Sequence, residues 1–302
     1  MAGFEMNRVL TFDVGGSHVS SAVCSEGFTL GPVASAAYGK TASRQDFLDL
    51  LFQLATRGSE GSEGGMSATL AVPGPFDFKA GVSLMRHKLP YLYGVDLRQA
   101  IAARFGCPPD EVRFLNDADA YLLGELGAGA GRGFDRVVGL TLGTGFGSAF
   151  AVHGRLVTEG PGIPKDGEIW NVPYQRGIAE DYVSSRAITG NYMRRTGKTC
   201  TVADLAAIAT GDPAAQESFA EFGEHLGRVI GTVLREFDAE VVVLGGGIAR
   251  AACLFLQAAQ HGLNSVSPEL RVSELKDCAA LVGCGVDWFS RGAQVTATAK
   301  AT

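Results

Sequence analysis

A chain of 302 residues, 46% hydrophobic and 19% charged, buries a sizeable core, enough for one large domain or two ordinary ones, and is not an intrinsically disordered composition. Its formal net charge of -6 gives no long-range attraction for nucleic acid or anionic lipid, so small molecules are the expected partners. The 41 glycines cluster where apolar runs end, as in a protein with many tight turns around a ligand.

In chain order, Val9-Leu-Thr-Phe-Asp-Val reads as a strand that breaks at Gly15-Gly16 and resumes over His18 to Cys24, a β-hairpin with a glycine tip. Phe47, Leu50, Leu51 and Leu54 fall at helical spacing within Ser43 to Ala55, with Ser43 as N-cap. The Gly/Ser/Glu stretch 58–65 is expected to be a surface loop. A buried strand, Ala68 to Val72, runs into Pro73-Gly74-Pro75, and a turn directly after such a strand is a common place for ligand contacts. Asp96 to Phe105 is predicted helical, Val112 to Leu115 a strand, and Ala118 to Leu126 a helix, which puts Asn116-Asp117 at a strand-to-helix corner. Val137 to Leu142, the tip Gly143-Thr144-Gly145 and a returning strand from Gly147 to Val152 repeat the first hairpin, a weak sign of internal duplication.

Asp212-Pro213 supplies an N-cap and first residue for a long helix whose apolar stripe runs from Phe219 to Phe237. On a neighbouring face Gly223, Gly227 and Gly231 would let another element approach closely. Val241 to Leu244 is a buried strand, and Gly245-Gly246-Gly247 leads into another helix. The six cysteines are scattered with no C-x-x-C pair and read as free thiols. His18, His153, His225 and His261 read as structural. The residues before Val9 lack a signal-peptide pattern, and the longest uncharged run, 137–152, is too short to span a bilayer, so a cytoplasmic location is expected.

Transfer of a γ-phosphoryl group to an alcohol needs a phosphate cradle, a carboxylate that orients Mg2+ and a base beside the attacking hydroxyl. Asp13-Val-Gly15-Gly16-Ser17 can offer two glycine N–H groups and a hydroxyl to phosphate, with Asp13 facing the metal through water. Gly143, Thr144 and Gly145 can approach the phosphates, and Gly245, Gly246 and Gly247 leave room for adenine and ribose. A Walker loop ending at Gly197-Lys198-Thr199 fails because Tyr192 stands where glycine is required, and the glycines at 143, 145 and 147 lead into a strand where a dinucleotide fold opens a helix.

These motifs, in this order, resemble the ROK group of sugar kinases and related regulators within the actin/hexokinase/Hsp70 superfamily. The resemblance runs through Phe12-Asp-Val-Gly-Gly-Ser17, Val72-Pro-Gly-Pro-Phe-Asp77, Leu115-Asn-Asp-Ala-Asp-Ala120 with Gly124-Glu125, Leu142-Gly-Thr-Gly145, Gly167-Glu-Ile169 and Val243-Leu-Gly-Gly-Gly247. Residues Thr141 to Phe150 are also similar to polyphosphate-dependent glucokinases. The resemblance implies an α/β fold of two RNase H-like (actin-like ATPase) domains with an interdomain cleft. The smaller would span 1–118, completed by a C-terminal helix 286–302, and the larger 119–285.

It further implies ATP and Mg2+, a homodimer, and a hexose held by Gly74, Asn116, Asp117, Glu168, Asn171 and Glu180, with Asp117 as catalytic base. Two departures stand out. Asn171 occupies the histidine position of the family's G-E-I-G-H stretch, and Val172-Pro-Tyr-Gln-Arg-Gly177 replaces the cysteine-rich zinc loop, so no zinc is expected. His87-Lys88-Leu89-Pro90 stands where related kinases carry Asn-Leu-Pro; Lys88 is either a solvated lysine or a preference for an anionic substrate. The reading favoured is a glucokinase-like hexose 6-kinase. The alternatives are a non-catalytic sugar sensor, although such regulators carry a helix-turn-helix domain and only eight residues precede the first strand, or a kinase using polyphosphate or an N-acetylated hexosamine.

Overall fold

The computed structural model describes residues 8–38, 43–58, 66–263 and 268–299. The chain forms two compact units, one of residues 1–128 with 278–302, the other of 129–277.

The first unit begins with β1 (Arg8–Val14), β2 (His18–Ser25) and β3 (Ala34–Ala37), an antiparallel meander. Helix α1 (Arg44–Gly58) follows, with the Ser43 hydroxyl accepting the Asp46 N–H at 3.2 Å while the Asp46 carboxylate accepts the Ser43 N–H at 2.8 Å, a reciprocal cap. The expected loop over 58–65 lies, past Gly58, outside the described residues. Strand β4 (Ala68–Val72), buried throughout, pairs parallel with β1 and ends at the Pro-Gly-Pro turn. A two-residue hairpin of β5 (Phe76–Asp77) and β6 (Val82–Ser83) leads to α2 (Leu97–Phe105), whose N-cap Asp96 accepts from the Gln99 N–H and whose chain reverses at Gly106, φ 68°. β7 (Val112–Asn116) pairs parallel with β4 and passes directly into α3 (Asp117–Ala128).

The second unit repeats the plan. β8 (Arg136–Leu142), β9 (Phe146–Val152) and β10 (Arg155–Val157) form the meander. The chain then makes a small hairpin of β11 (Pro173–Tyr174) and β12 (Gly177–Ile178), followed by α4 (Ala179–Tyr182), α5 (Ser185–Thr196), α6 (Val202–Ile208) and the long α7 (Pro213–Val233). β13 (Val241–Gly245) pairs parallel with β8; a 3₁₀ segment 248–254, α8 (Leu256–Gly262) and β14 (Glu269–Val272) complete the unit. The chain returns to the first unit as α9 (Ala279–Ala299).

The two sheets share one strand order, β3-β2-β1-β4-β7 and β10-β9-β8-β13-β14, each an antiparallel meander joined to two parallel strands. The duplication expected from the two hairpins therefore extends to the whole sheet. The interior of the first unit holds Phe12, Phe47, Leu51, Leu70 and Ile101, and that of the second Phe150, Phe219, Phe222, Leu226 and Phe255.

Several expectations shift in detail. The division between units falls after Ala128, because α3 packs on α9 in the first unit: a Cβ on Gly124 or Gly283 would run into the Ala279 or Ala120 carbonyl. The returning helix starts at Ala279, earlier than Val286. Helix α7 stops at Val233, and Phe237 is buried from a turn beyond it, with its carbonyl accepting from Arg136 Nε at 2.6 Å. The element after Gly247 is a 3₁₀ turn before it becomes helical. The glycine face of α7 does what its spacing suggested. Any Cβ at Gly223, Gly227 or Gly231 would strike the backbone carbonyl of Phe255, Ala259 or Leu263, so α8 lies directly on the backbone of α7.

Candidate functional site

In the first unit the polar residues gather at the C-terminal ends of β1, β4 and β7, where an open parallel sheet presents its ligand-binding edge. Asn116 ends β7 and Asp117 opens α3. The Ala118 N–H donates to both side chains, to Asn116 Oδ1 at 2.9 Å and Asp117 Oδ1 at 3.0 Å. One backbone donor thus orients both residues and leaves the second Asp117 oxygen outside this bond. Burial pushes the Asp117 carboxyl above its usual range, while the Lys88 ammonium and the Ala118 N–H pull it back down. Lys88 is exposed on the loop before a 3₁₀ turn at Pro90–Leu92, yet its charge reaches Asp117 more strongly than that of any other side chain.

Sequence reasoning passed over Asp119. One turn into α3, burial and the neighbouring Asp117 charge push its carboxyl up to about 6. The signal that could have found it is the i, i+2 pair of carboxylates opening a helix inside a buried segment.

The Asp13 to Ser17 turn departs from expectation. The Gly15 N–H closes the hairpin on the His18 carbonyl at 2.9 Å and is not free for phosphate. The exposed part of the turn is Gly16 and Ser17, with nothing within 4 Å of a Cβ built on Gly16. Asp13 is half-buried where β1 ends. Gly74 likewise has open space beside it.

In the second unit Gly143-Thr144-Gly145 is the β8–β9 tip, closed by the Gly143 N–H on the Gly145 carbonyl at 3.0 Å. The structure brings this tip to Glu180: the Phe146 N–H donates to Glu180 Oε2 at 3.0 Å, and a Cβ on Gly145 would sit 3.1 Å from that oxygen. Arg186, missed by sequence reasoning, lies 3.5 Å from Glu180 Oε1. The Glu180 N–H in turn donates to the Trp170 carbonyl at 3.0 Å, joining it to the segment that carries Glu168 and Asn171. There Trp170 Nε1 donates to Glu168 Oε2 at 3.0 Å, and Trp170 is 38% exposed, a large aromatic residue partly open to solvent beside a carboxylate. Asn171 Nδ2 approaches the same oxygen at 3.4 Å.

The triple glycine divides in two. Gly246, at φ 81°, has its Cβ position filled by Leu142 of β8, so it serves sheet packing; Gly247 alone of this pair faces open space. The expected room for adenine against Gly246 is therefore taken by the protein's own backbone. Among the described residues no group of three or more His, Cys, Asp and Glu side chains is placed to hold a metal ion, and no helix is long and apolar enough to cross a membrane.

The sequence profile of the ROK family matches residues 9–284. The chain belongs to the ROK family. A glucokinase from Thermotoga maritima is 29% identical over 272 residues, covering 81% of this chain and 83% of that protein. An N-acetyl-D-glucosamine kinase from Salmonella paratyphi A is 24% identical over 291 residues, covering 88% and 92%. A ROK family glucokinase from Streptomyces griseus, crystallised with glucose and AMPPNP, superposes with a TM-score of 0.75 at 22% identity over 92% of this chain and 97% of its own. This ROK protein has the fold anticipated for it, two RNase H-like domains of the actin-like ATPase type.

Proposed function

We propose that this ROK protein is a sugar kinase that transfers the γ-phosphoryl group of ATP to a hydroxyl of a hexose, with the glucose 6-hydroxyl as first candidate and an N-acetylated hexosamine as second. The observation that carries the reading is Asp117: a desolvated carboxylate held at a strand-to-helix corner by a backbone N–H, beside an amide that the same N–H orients. A base so placed takes the proton of the attacking hydroxyl while water is excluded. Glu168, Asn171, Glu180, Asn116 and the Gly74 turn bind sugar hydroxyls. Gly16, Ser17 and the 143–145 tip receive the phosphates, and Gly247 with Gly245 borders the nucleoside.

The donor set fits magnesium riding on the nucleotide. Asp13 and the Ser17 hydroxyl are hard oxygen ligands at one turn, suited to an ion that keeps most of its water shell. Mg2+ would there neutralise charge on the phosphates. The N-acetylhexosamine reading is favoured by the Salmonella relative and by the partly exposed Trp170, which can pack against an acetyl methyl. A cytoplasmic homodimer completes the proposal, checked by light scattering of the purified protein.

The test is phosphate transfer from ATP and Mg2+ to glucose, mannose, fructose and their N-acetyl amines, run beside Asp117→Asn. Transfer to one sugar that collapses in the variant establishes both reaction and base. Transfer that survives the substitution moves Asp117 to a binding role, and no transfer to any sugar from ATP or polyphosphate ends the kinase reading.

A further inference from the structure

Residues 158–178 of the second unit, which carry Glu168, Trp170 and Asn171 and lead into Glu180, contain only a 3₁₀ turn and the four-residue β11–β12 hairpin. Such a segment needs an external brace if its carboxylates are to stand in fixed places. One end is fastened to the sheet, where the Ser148 hydroxyl of β9 donates to the Gly167 carbonyl at 2.7 Å and accepts the Ile169 N–H at 2.9 Å. The other end is fastened by aromatic rings. Tyr174 of β11 meets Tyr182 of α4 and His225 of α7 nearly edge-on, at centroid distances of 5.1 and 5.7 Å, and Tyr182 meets His225 at 5.0 Å. The Tyr174 hydroxyl lies 2.9 Å from His225 Nδ1. It donates there in the tautomer that turns Nε2–H toward Glu221 Oε1, 3.9 Å away. Burial holds His225 below its usual range, which favours the neutral ring that this bond requires.

The brace has a stiff foundation, since α7 lies backbone to backbone on α8 through its glycine face. Tyr174 and Tyr182 also pack against the core of the second unit, and Tyr182 and His225 border a cavity of about 220 Å³ shared with Arg186, Arg194 and Glu221. From the hairpin the constraint passes along two backbone bonds, Ala179 N–H to the Val172 carbonyl and Glu180 N–H to the Trp170 carbonyl, both 3.0 Å.

We propose that Tyr174, Tyr182 and His225 are positioning residues that fasten the β11–β12 hairpin to α7 and thereby set where Glu168, Asn171 and Glu180 stand. The inference rests on the reading of those three as sugar-binding residues. No hydrogen bond joins the three rings to the Glu168, Asn171 or Glu180 side chains, so they act through the backbone they hold.

The experiment compares Tyr174→Phe, His225→Leu and the conservative His225→Gln with wild type, by amide hydrogen exchange and by steady-state kinetics. Tyr174→Phe and His225→Leu each remove the same bond. Exchange at the Ala179 and Glu180 amides should quicken about tenfold with α7 amides unchanged, and the sugar KM should rise about tenfold with the nucleotide KM unmoved. The double variant should be no worse than either single one, and His225→Gln, which keeps an acceptor, should recover most of the loss. Unchanged exchange and sugar KM in both variants overturn the proposal. So does a quickening that spreads equally through α7, which would make the cluster a matter of global stability. A wild type that phosphorylates no sugar overturns the kinase reading, whereas the exchange rates by themselves decide whether the brace exists.

Discussion

Replacing Asp119 by Asn should stabilise the protein, by an amount that grows as pH rises from about 3.8 to about 6 and is constant above that. The carboxyl stands at about 6 in the folded chain against an ordinary 3.8, with burial first and the Asp117 charge second as causes. A rise of that size makes the ionised Asp119 cost the fold about 2–3 kcal/mol, the lower end allowing for its partial exposure. The sign follows from proton binding. Between 3.8 and about 6 the folded state holds a proton that the unfolded state has released, so wild-type stability falls as pH rises through this window. Below it a protonated Asp and an Asn are nearly equivalent, and Asp119→Asn should match wild type. Above pH 7 the variant should be more stable by about 2–3 kcal/mol.

Urea unfolding at pH 4.5, 6 and 7.5 measures the difference. Trp288 of α9 is the natural probe of the first unit, because its ring lies under the Arg113 guanidinium at 4.2 Å; a Trp170→Phe background silences the other indole. An Asp119→Asn effect that is the same at all three pH values, or that appears only at pH 4.5, would show that Asp119 is not the titrating group.

Asp117→Asn should lower kcat by about 10²–10⁴-fold while sugar binding measured by calorimetry changes little. Lys88→Met removes the charge that holds Asp117 down, so its acid limb should move to higher pH; an unmoved limb would mean that Lys88 does not act on Asp117. Gly231→Ala sets about 1 kcal/mol of gained helix propensity against overpacking of about 1–3 kcal/mol, because the new Cβ would sit 2.6 Å from the Leu263 carbonyl. It should lower the urea midpoint, whereas Gly190→Ala in α5, whose Cβ would meet nothing closer than Arg194 at 3.8 Å, should raise it. Glu180→Gln keeps the shape but weakens the bond from the Phe146 N–H; it should raise both sugar and nucleotide KM, since that carboxylate ties the end of the 143–145 tip to a residue whose own N–H is bonded to the Trp170 carbonyl.

Features set by short-range chemistry were legible in the sequence. The caps at Ser43 and Asp212 sit where a side-chain oxygen precedes an amphipathic run. The buried strands Ala68–Val72 and Val241–Gly245 are unbroken apolar runs, and the glycine face of α7 is a period that only close packing explains. Asn116-Asp117 was placed correctly because the strand before it and the helix after it are both strong local patterns.

Edge strands such as β3, β10 and β14, and the β11–β12 hairpin, escaped because they are only two to four residues long, too short to show a periodic pattern. The roles within motifs were also beyond reach. Sequence names three glycines at 245–247 and two at 15–16, but only packing shows that Gly246 is filled by Leu142 and that the Gly15 N–H is spent on the hairpin. Local patterns and motif order thus determined the fold class and the family. Tertiary structure alone decided which oxygen of Glu180 is already bonded, how far Asp119 is desolvated, and that His225, read only as structural, closes on Tyr174 from 51 residues away, because burial and long-range hydrogen bonds depend on what the rest of the chain puts nearby.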